Sequence, residues 1–257
     1  VNRAIIGYTG FVGGNLVRQQ PFDAFYNSKN IEEIVGETFD FLVCAGAPAV
    51  KWLANKEPEP DRAAIDRLKQ ALAGVSVRKF VLISTVDVYP NPVDVDEDVP
   101  INTDNLHPYG KHRLELEAFV CDRFDTVTIR LPALFGDGLK KNIIYDFLHG
   151  NEVDKIHCDH AFQFYDLDRL SDDIQIVLDR DLSLVNFATE PTSVGAMARQ
   201  AFGIDFTNRP HDRPIRYDMK TKYSDVFASN KAGYLYDTQQ VLSALTAFVQ
   251  KQRETSP

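Results

Sequence analysis

Cysteine, methionine and tryptophan are scarce in this chain: three, two and one among 257 residues. The cysteines, Cys44, Cys121 and Cys158, are odd in number, widely spaced and form no C-x-x-C pair. That excludes a disulfide framework as the basis of the fold and suits a reducing compartment. Long hydrophobic runs are missing as well. Stretches such as FVLIS are far too short to cross a bilayer, so no membrane partner is expected. Positive charge is in deficit, with 28 Lys and Arg against 37 Asp and Glu and a net charge of −9. A phosphate-backbone groove wants a basic face, so nucleic acid is not an expected partner. No basic-then-apolar leader is visible in VNRAIIG, and there is no repeat, low-complexity tract or evident linker. The expected location is therefore cytoplasmic and the expected partner a small molecule.

What is present is ordinary for a globular protein: 44% hydrophobic and 25% charged residues, in a length that supports one large domain or two small ones. The first half alternates strand-like and helix-like segments. RAIIG (3–7), DAFYN (23–27), TFDFLVCAG (38–46), RKFVLIS (78–84) and TVTIRL (126–131) read as strands. Asn15 to Gln20 reads as a short helix closed by Pro21, and Asp61 to Gly74 as a longer one. A helix starting near Pro108 places Leu114, Ala118 and Cys121 on one face. Thr238 to Gln252 reads as an amphipathic helix with Val241, Leu245, Phe248 and Val249 on one stripe, capped by Asp237 or Thr238. This rhythm predicts an α/β fold: a doubly wound, Rossmann-type parallel sheet with a small C-terminal lobe. Ligands of such sheets bind beyond the carboxyl ends of the strands. Gly7, Gly46, Ser84 to Tyr89 and Leu131 to Gly136 all fall at such ends.

IIGYTGFVGGNL places Gly7, Gly10 and Gly13 at G-x-x-G-x-x-G spacing, directly after a strand and into a helix. Glycine permits the tight turn and the close approach of a pyrophosphate, and the helix N-terminus offers free N–H groups with a positive dipole end. The loop resembles the cofactor loop of the short-chain dehydrogenase/reductase superfamily, in its extended branch of NAD-dependent epimerases and dehydratases. LVCAGAP, VLISTVDVYP, PYGKHRLELE and IRLPALFG agree with that branch in the right order, so the resemblance covers roughly residues 3–136. It implies a nicotinamide dinucleotide held by Gly7, Thr9, Gly10, Phe11, Val12 and Gly13, by Ala45, Gly46 and Ala47, and by Pro132. After the second strand stand Asn27, Ser28 and Lys29 with no carboxylate, a set that suits the 2′-phosphate of NADP; NAD stays open.

The same resemblance implies Tyr109 as general acid/base and Thr85 as the hydroxyl that orients the substrate oxygen. A phenol with a pKa of about 10 must be made more acidic to exchange protons at neutral pH. The family uses a lysine four residues after the tyrosine; here Arg113 holds that place. Lys111, two residues on, points to the other side of a helix. Arginine keeps the charge, which would still lower the phenol's pKa, but it loses relay through an amine. In the family's dehydratases the threonine is followed by two acids. Here the two positions are Val86 and Asp87, which disfavours elimination of water.

Asp87, Lys141 and Asn142 are the expected substrate contacts. The substrate class is a sugar or sugar nucleotide, although no arginine precedes Tyr165 where the family often contacts a diphosphate. The expected activity is hydride transfer of the epimerase/reductase type. The alternative is a catalytically weak NADP(H)-binding scaffold or redox sensor. The expected dinucleotide-binding core is 1–135, completed by about 162–189, with 136–161 and 190–257 as the substrate lobe. HCDH (157–160) supplies too few ligands for a metal site, and none is expected. Homodimerisation through a helix pair is common in the resembled family and is left open.

Overall fold

The computed structural model describes residues 1–227 and 229–255. The chain divides into two compact units. The first comprises Val1–Asn91, Val99–Leu131 and Leu170–Val185; the second comprises Pro92–Asp98, Pro132–Arg169 and Asn186–Pro257.

The first unit is built on six strands: β1 (Arg3–Ile6), β2 (Ala24–Tyr26), β3 (Thr38–Cys44), β4 (Ser76–Thr85), β5 (Thr126–Leu131) and β6 (Leu184–Asn186). They lie in the order β6-β5-β4-β3-β1-β2, and the pairs β1/β2, β1/β3, β3/β4 and β4/β5 run parallel. The expected doubly wound sheet is the one found. β3 and β4 read as apolar runs because helices cover both faces of a parallel sheet. Leu42, Cys44, Phe80 and Leu82 are buried beside Ile65, Leu68 and Leu72 of the helix behind them. Strand order reverses at β1, since β2 lies on one side of it and β3 on the other. The crevice beyond the carboxyl ends of β1 and β3 is the switch point where such sheets take ligands. Gly7 and the loop Ala45–Ala47 stand there.

The helices of this unit are α1 (Phe11–Gln19), α2 (Lys51–Lys56), α3 (Pro58–Ala73), α4 (Pro108–Cys121) and α5 (Leu170–Asp179). α1 begins four residues before the sequence pattern suggests, because Gly13 and Gly14 sit in its first turns and carry no periodic signal. α3 begins at Pro58 rather than Asp61, with the proline in the first turn where its missing N–H costs nothing. The face of α4 is a correction. Leu114 is half-buried, and Ala118 and Cys121 are exposed, whereas Tyr109, Gly110, His112, Arg113, Leu116, Glu117 and Val120 are buried. Apolarity alone picked the wrong side, because three of the inward residues are polar and find partners inside.

One of those partnerships is a buried network. Glu117 accepts from Arg130 Nη2 at 2.6 Å and from Ser84 Oγ at 2.5 Å, and Arg130 Nη1 donates to the Tyr89 hydroxyl at 2.8 Å. It ties α4 to the ends of β4 and β5, next to the residues of interest.

The second unit carries short strand pairs: Ala133–Phe135 with Phe164–Asp166, Ala161–Phe162 with Thr192–Ser193, and Val93–Val95 with Asp218–Met219. Its helix Thr238–Thr255 buries Val241, Leu245, Phe248 and Val249, the stripe read from the sequence. Asp237 caps it: Gln240 N–H donates to Asp237 Oδ1 at 2.8 Å, and Asp237 N–H donates back to Gln240 Oε1 at 2.9 Å. That reciprocal pair satisfies two helix-start donors at once.

Candidate active site

The glycine loop is shaped by contacts that no side chain tolerates. Gly7 has φ +89°, a left-handed value that favours glycine, and its N–H donates to Tyr26 O at 2.7 Å. A Cβ on Gly7 would collide with the backbone of Ala45, and one on Gly13 with the carbonyl of Gly7. A Cβ on Gly46 would meet the Ile6 side chain at 2.7 Å. Gly10 is the N-cap of α1; among the described residues no side chain caps it, and no acid lies in the first turn. The turn therefore presents bare N–H groups at Phe11 and Val12 beside exposed Thr9 and Gly10. This is a cradle for an anion such as a dinucleotide pyrophosphate, and the residues present fit that group. Replacing Gly13 with valine is expected to abolish dinucleotide binding, measured by calorimetric titration, since the side chain forces α1 away from Gly7.

The loop after β2 is organised by its own side chains. Asn27 Oδ1 accepts from Lys29 N–H at 2.8 Å, and Asn30 Oδ1 accepts from Asn27 N–H at 2.8 Å. Sequence reading missed Arg67 of α3, which donates to Ser28 O at 2.8 Å and pairs with Glu32 through Nη2 at 2.8 Å. Lys29 and Ser28 stand exposed at this turn.

At the end of β4, Thr85 Oγ1 accepts from Asp87 N–H at 3.1 Å and caps the short 3-10 turn Val86–Val88. Its hydroxyl hydrogen is a separate donor. The turn packs closely on α4, because a Cβ on Gly110 would collide with Asp87 O. Tyr109 begins the next helix, where His107 Nδ1 caps by accepting from Gly110 N–H at 3.1 Å. Asn55 of α2 accepts the Tyr109 N–H at 3.0 Å. Thr85 and Tyr109 thus flank one turn-and-helix junction at the carboxyl edge of the sheet.

Arg113 does lie beside Tyr109. Its guanidinium carbon is 3.9 Å from the centre of the phenol ring, while Lys111 is exposed, as helical spacing predicts. Its Nη donors, however, are committed elsewhere, while its buried Nε has no hydrogen-bond partner among the described residues. Nη2 binds Asp61 Oδ1 at 2.7 Å and also the Pro48 carbonyl; Nη1 binds Asp61 Oδ2 and, at 3.2 Å, Tyr109 O. All four Nη hydrogens therefore have protein acceptors, and the Pro48 bond braces the loop after β3. His112 Nδ1 lies 2.6 Å from the same Asp61 carboxylate. Burial alone would raise the Asp61 carboxyl, but hydrogen bonds from Arg113 and His112 outweigh it and hold it below the usual carboxylate range.

The Arg113 charge does lower the phenol's pKa, as expected, but burial outweighs it. Burial pushes Tyr109 up from its ordinary value; the Arg113 charge pulls against that rise, and Asp87 adds to it. Among the charges that reach the phenol, Arg113 acts most strongly, and its partner Asp61 opposes it only in part. Arg113 is thus also a buried structural clamp, joining α4 to α3 and to the loop after β3.

The proposed substrate contacts fare differently. Asp87 bonds Lys51 Nζ at 2.7 Å, a partner the sequence did not reveal. In the second unit, Lys141 is exposed, and Asn142 caps the helix Ile143–His149 by accepting from Ile144 and Tyr145 N–H at 3.0 and 3.2 Å. Its amide also donates to Leu134 O at 2.8 Å, so Asn142 is a cap rather than a free contact. Pro132 follows β5 directly and is half-buried. The HCDH stretch holds its nitrogens by backbone: His157 Nδ1 accepts from Asp159 N–H at 3.0 Å, and His160 Nδ1 from Ile215 N–H at 2.7 Å. His157, Cys158 and Asp159 bring one ligand atom each to within 4.8 Å of one another, a grouping that could hold a metal ion, although the sequence led to no such expectation.

No family model and no curated protein matches this chain. Solved structures share its fold over nearly its full length. A UDP-glucuronic acid 4-epimerase variant from Bacillus cereus, in complex with UDP-4-deoxy-4-fluoro-glucuronic acid and NAD, is similar at 15% identity and TM-score 0.73, covering 98% of this chain and 100% of that one. A UDP-N-acetylglucosamine 4-epimerase from Methanobrevibacter ruminantium, in complex with UDP-N-acetylmuramic acid, is similar at 14% identity and TM-score 0.71, covering 99% of each chain. A dTDP-4-dehydrorhamnose reductase from Clostridium acetobutylicum is similar at 16% identity and TM-score 0.70, covering 98% of this chain and 100% of that one.

Proposed function

We propose that this chain is a nicotinamide-dinucleotide-dependent oxidoreductase of the sugar epimerase/reductase type. The observation that carries the reading is the uncapped N-terminus of α1, cradled by Gly7, Gly10 and Gly13 at the switch point of a parallel sheet. The sharing of this fold with sugar-nucleotide epimerases and a reductase supports it. Bound there, the dinucleotide supplies the hydride. Phe11 and Val12 N–H groups would hold its pyrophosphate, with the braced loop Ala45–Ala47 beside them at the same sheet edge. Thr85 donates its hydroxyl hydrogen to the substrate oxygen and fixes its place. Tyr109 exchanges the proton of that oxygen. A phenol raised by burial rests protonated, which suits donation to an oxygen that gains charge, as in reduction of a carbonyl. The second unit supplies the substrate lobe, and the substrate is a sugar or sugar nucleotide.

For the cofactor, Lys29 favours NADP, since a cation at the end of β2 can pair with the 2′-phosphate. Changing Lys29 to glutamate is expected to weaken NADPH about tenfold, or about 1.4 kcal/mol. NADH affinity should change far less in the same titration. Equal loss for both would remove Lys29 from the 2′-phosphate site.

A second reading, a dinucleotide-binding scaffold or redox sensor with little turnover, draws on the Arg113–Asp61 lock. Turnover separates the two. Dinucleotide oxidation or reduction should be followed over a panel of UDP- and dTDP-sugars and simple carbonyl sugars. Turnover on one class is the expected result. Tight dinucleotide binding with none across the panel would favour the scaffold.

A further inference from the structure

The turn His157–Asp159 belongs wholly to the second unit, and the chemistry proposed above does not use it. It sets an imidazole, a thiol and a carboxylate side by side. His157 and Cys158 are buried, at 3% and 5% exposed, while Asp159 reaches solvent. The separations fit one ion. Cys158 Sγ lies 3.6 Å from Asp159 Oδ1, and His157 Nδ1 lies 3.9 Å from Asp159 Oδ2. Around a tetrahedral zinc ion, with bonds of about 2.0–2.3 Å, neighbouring ligand atoms stand about 3.3–3.8 Å apart. Small side-chain rotations therefore close the set. Imidazole, thiolate and carboxylate are also the groups zinc takes, whereas magnesium and calcium prefer oxygen alone.

The turn is held in place by its neighbours. Cys158 N–H donates to Asn208 O, Gly195 N–H to Cys158 O and Val194 N–H to His160 O, each at 2.8 Å. The His157 ring packs on the rings of His160 and His211, with centres 5.4 and 5.2 Å away. A site fixed in this way loses little freedom when it takes a ligand.

Two present bonds have to yield or share. His157 Nδ1 accepts from Asp159 N–H at 3.0 Å, and an ion at that lone pair replaces the bond. Arg209 donates to Asp159 through Nε at 2.8 Å and Nη2 at 3.3 Å. A carboxylate has about four acceptor sites, so one oxygen can bind an ion while the other keeps an arginine bond. Access is open as well. A cavity of about 560 Å³ is lined by Asp159 together with Thr192, Ser193 and Arg216. The Thr192 hydroxyl is buried without a hydrogen-bond partner among the described residues, which favours a polar occupant such as water.

We propose that His157, Cys158 and Asp159 form a binding site for a divalent cation of the zinc type, with water from the cavity in the fourth position. Binding forms a metal–sulfur bond and releases the Cys158 thiol proton to solvent.

The full chain, freed of metal with a chelator, is titrated with Co2+ and then with Zn2+. Saturation at one Co2+ per chain is expected, with the near-ultraviolet band of a cobalt–thiolate bond, and Zn2+ should displace it. Cys158→Ser should abolish the band, whereas Cys121→Ser, at an exposed cysteine, should keep it. Asp159→Asn is expected to weaken Zn2+ about tenfold or more, since even outer partners of a ligand are worth that much. Asp159 is exposed, so this variant keeps the test decisive if Cys158→Ser does not fold. No Co2+ bound, a band that survives Cys158→Ser or is lost in Cys121→Ser, or unchanged Zn2+ affinity in Asp159→Asn overturns the proposal.

Discussion

Tyr109→Phe is expected to lower turnover by about 100- to 10,000-fold while leaving dinucleotide affinity unchanged. The prediction is sharp because the substitution removes one oxygen and little else. The ring stays buried under the Arg113 guanidinium, and the backbone bond to Asn55 is unaffected. Steady-state kinetics beside a binding titration separates the two effects. The pH profile adds a sign. Reduction needs the protonated phenol, and burial raises the Tyr109 pKa above its ordinary value. Activity in that direction is therefore expected to hold through neutral pH and to fall only in the alkaline range. A Tyr109→Phe protein with wild-type turnover would remove the tyrosine from the chemistry.

Asp61→Asn is expected to cost about 3–5 kcal/mol of stability, the usual penalty for stranding one member of a buried ion pair. Asp61 is the shared acceptor of Arg113 and His112, and all three are nearly fully buried. Without the carboxylate, the Arg113 charge stays inside with only neutral acceptors to meet it: the Pro48 and Tyr109 carbonyls and the one amide oxygen the substitution leaves. Urea denaturation measures the loss. Linkage gives the acid behaviour of the wild type. The folded-state pKa of Asp61 is depressed, so its contribution is fully present above the unfolded value of about 3.9. It is lost as pH falls through the lower folded value. Asp61→Asn should therefore flatten the acid limb of the stability curve; an unchanged limb and an unchanged midpoint would show that the pair does not stabilise the fold.

The parts legible in the sequence were those encoded locally. Phe41–Cys44 is an unbroken apolar run because both faces of its strand are covered, and Gly7 follows a strand at φ +89°, a value that favours glycine. Such signals lie within a few neighbouring letters. The electrostatics of the site does not. Lys51 meets Asp87 across 36 positions, Arg113 meets Asp61 across 52, and Arg67 meets Glu32 across 35. No spacing rule displays those pairs. Asp61 read only as the first residue of a helix, and Arg113 read as a free cation beside a phenol. α4 was turned to the wrong face for the same reason: its buried side holds Arg113 and Glu117, whose partners come from α3 and β5. Asn142 looked like a polar contact in a loop and proved to be a helix cap.

Direct titration of the wild-type chain with NADPH and NADH tests, without assuming any substrate, whether the cradle at Gly7–Gly13 holds a nicotinamide dinucleotide. Saturable binding at one site per chain is expected for at least one of the two, lost in Gly13→Val. A wild-type chain that binds neither dinucleotide would contradict it.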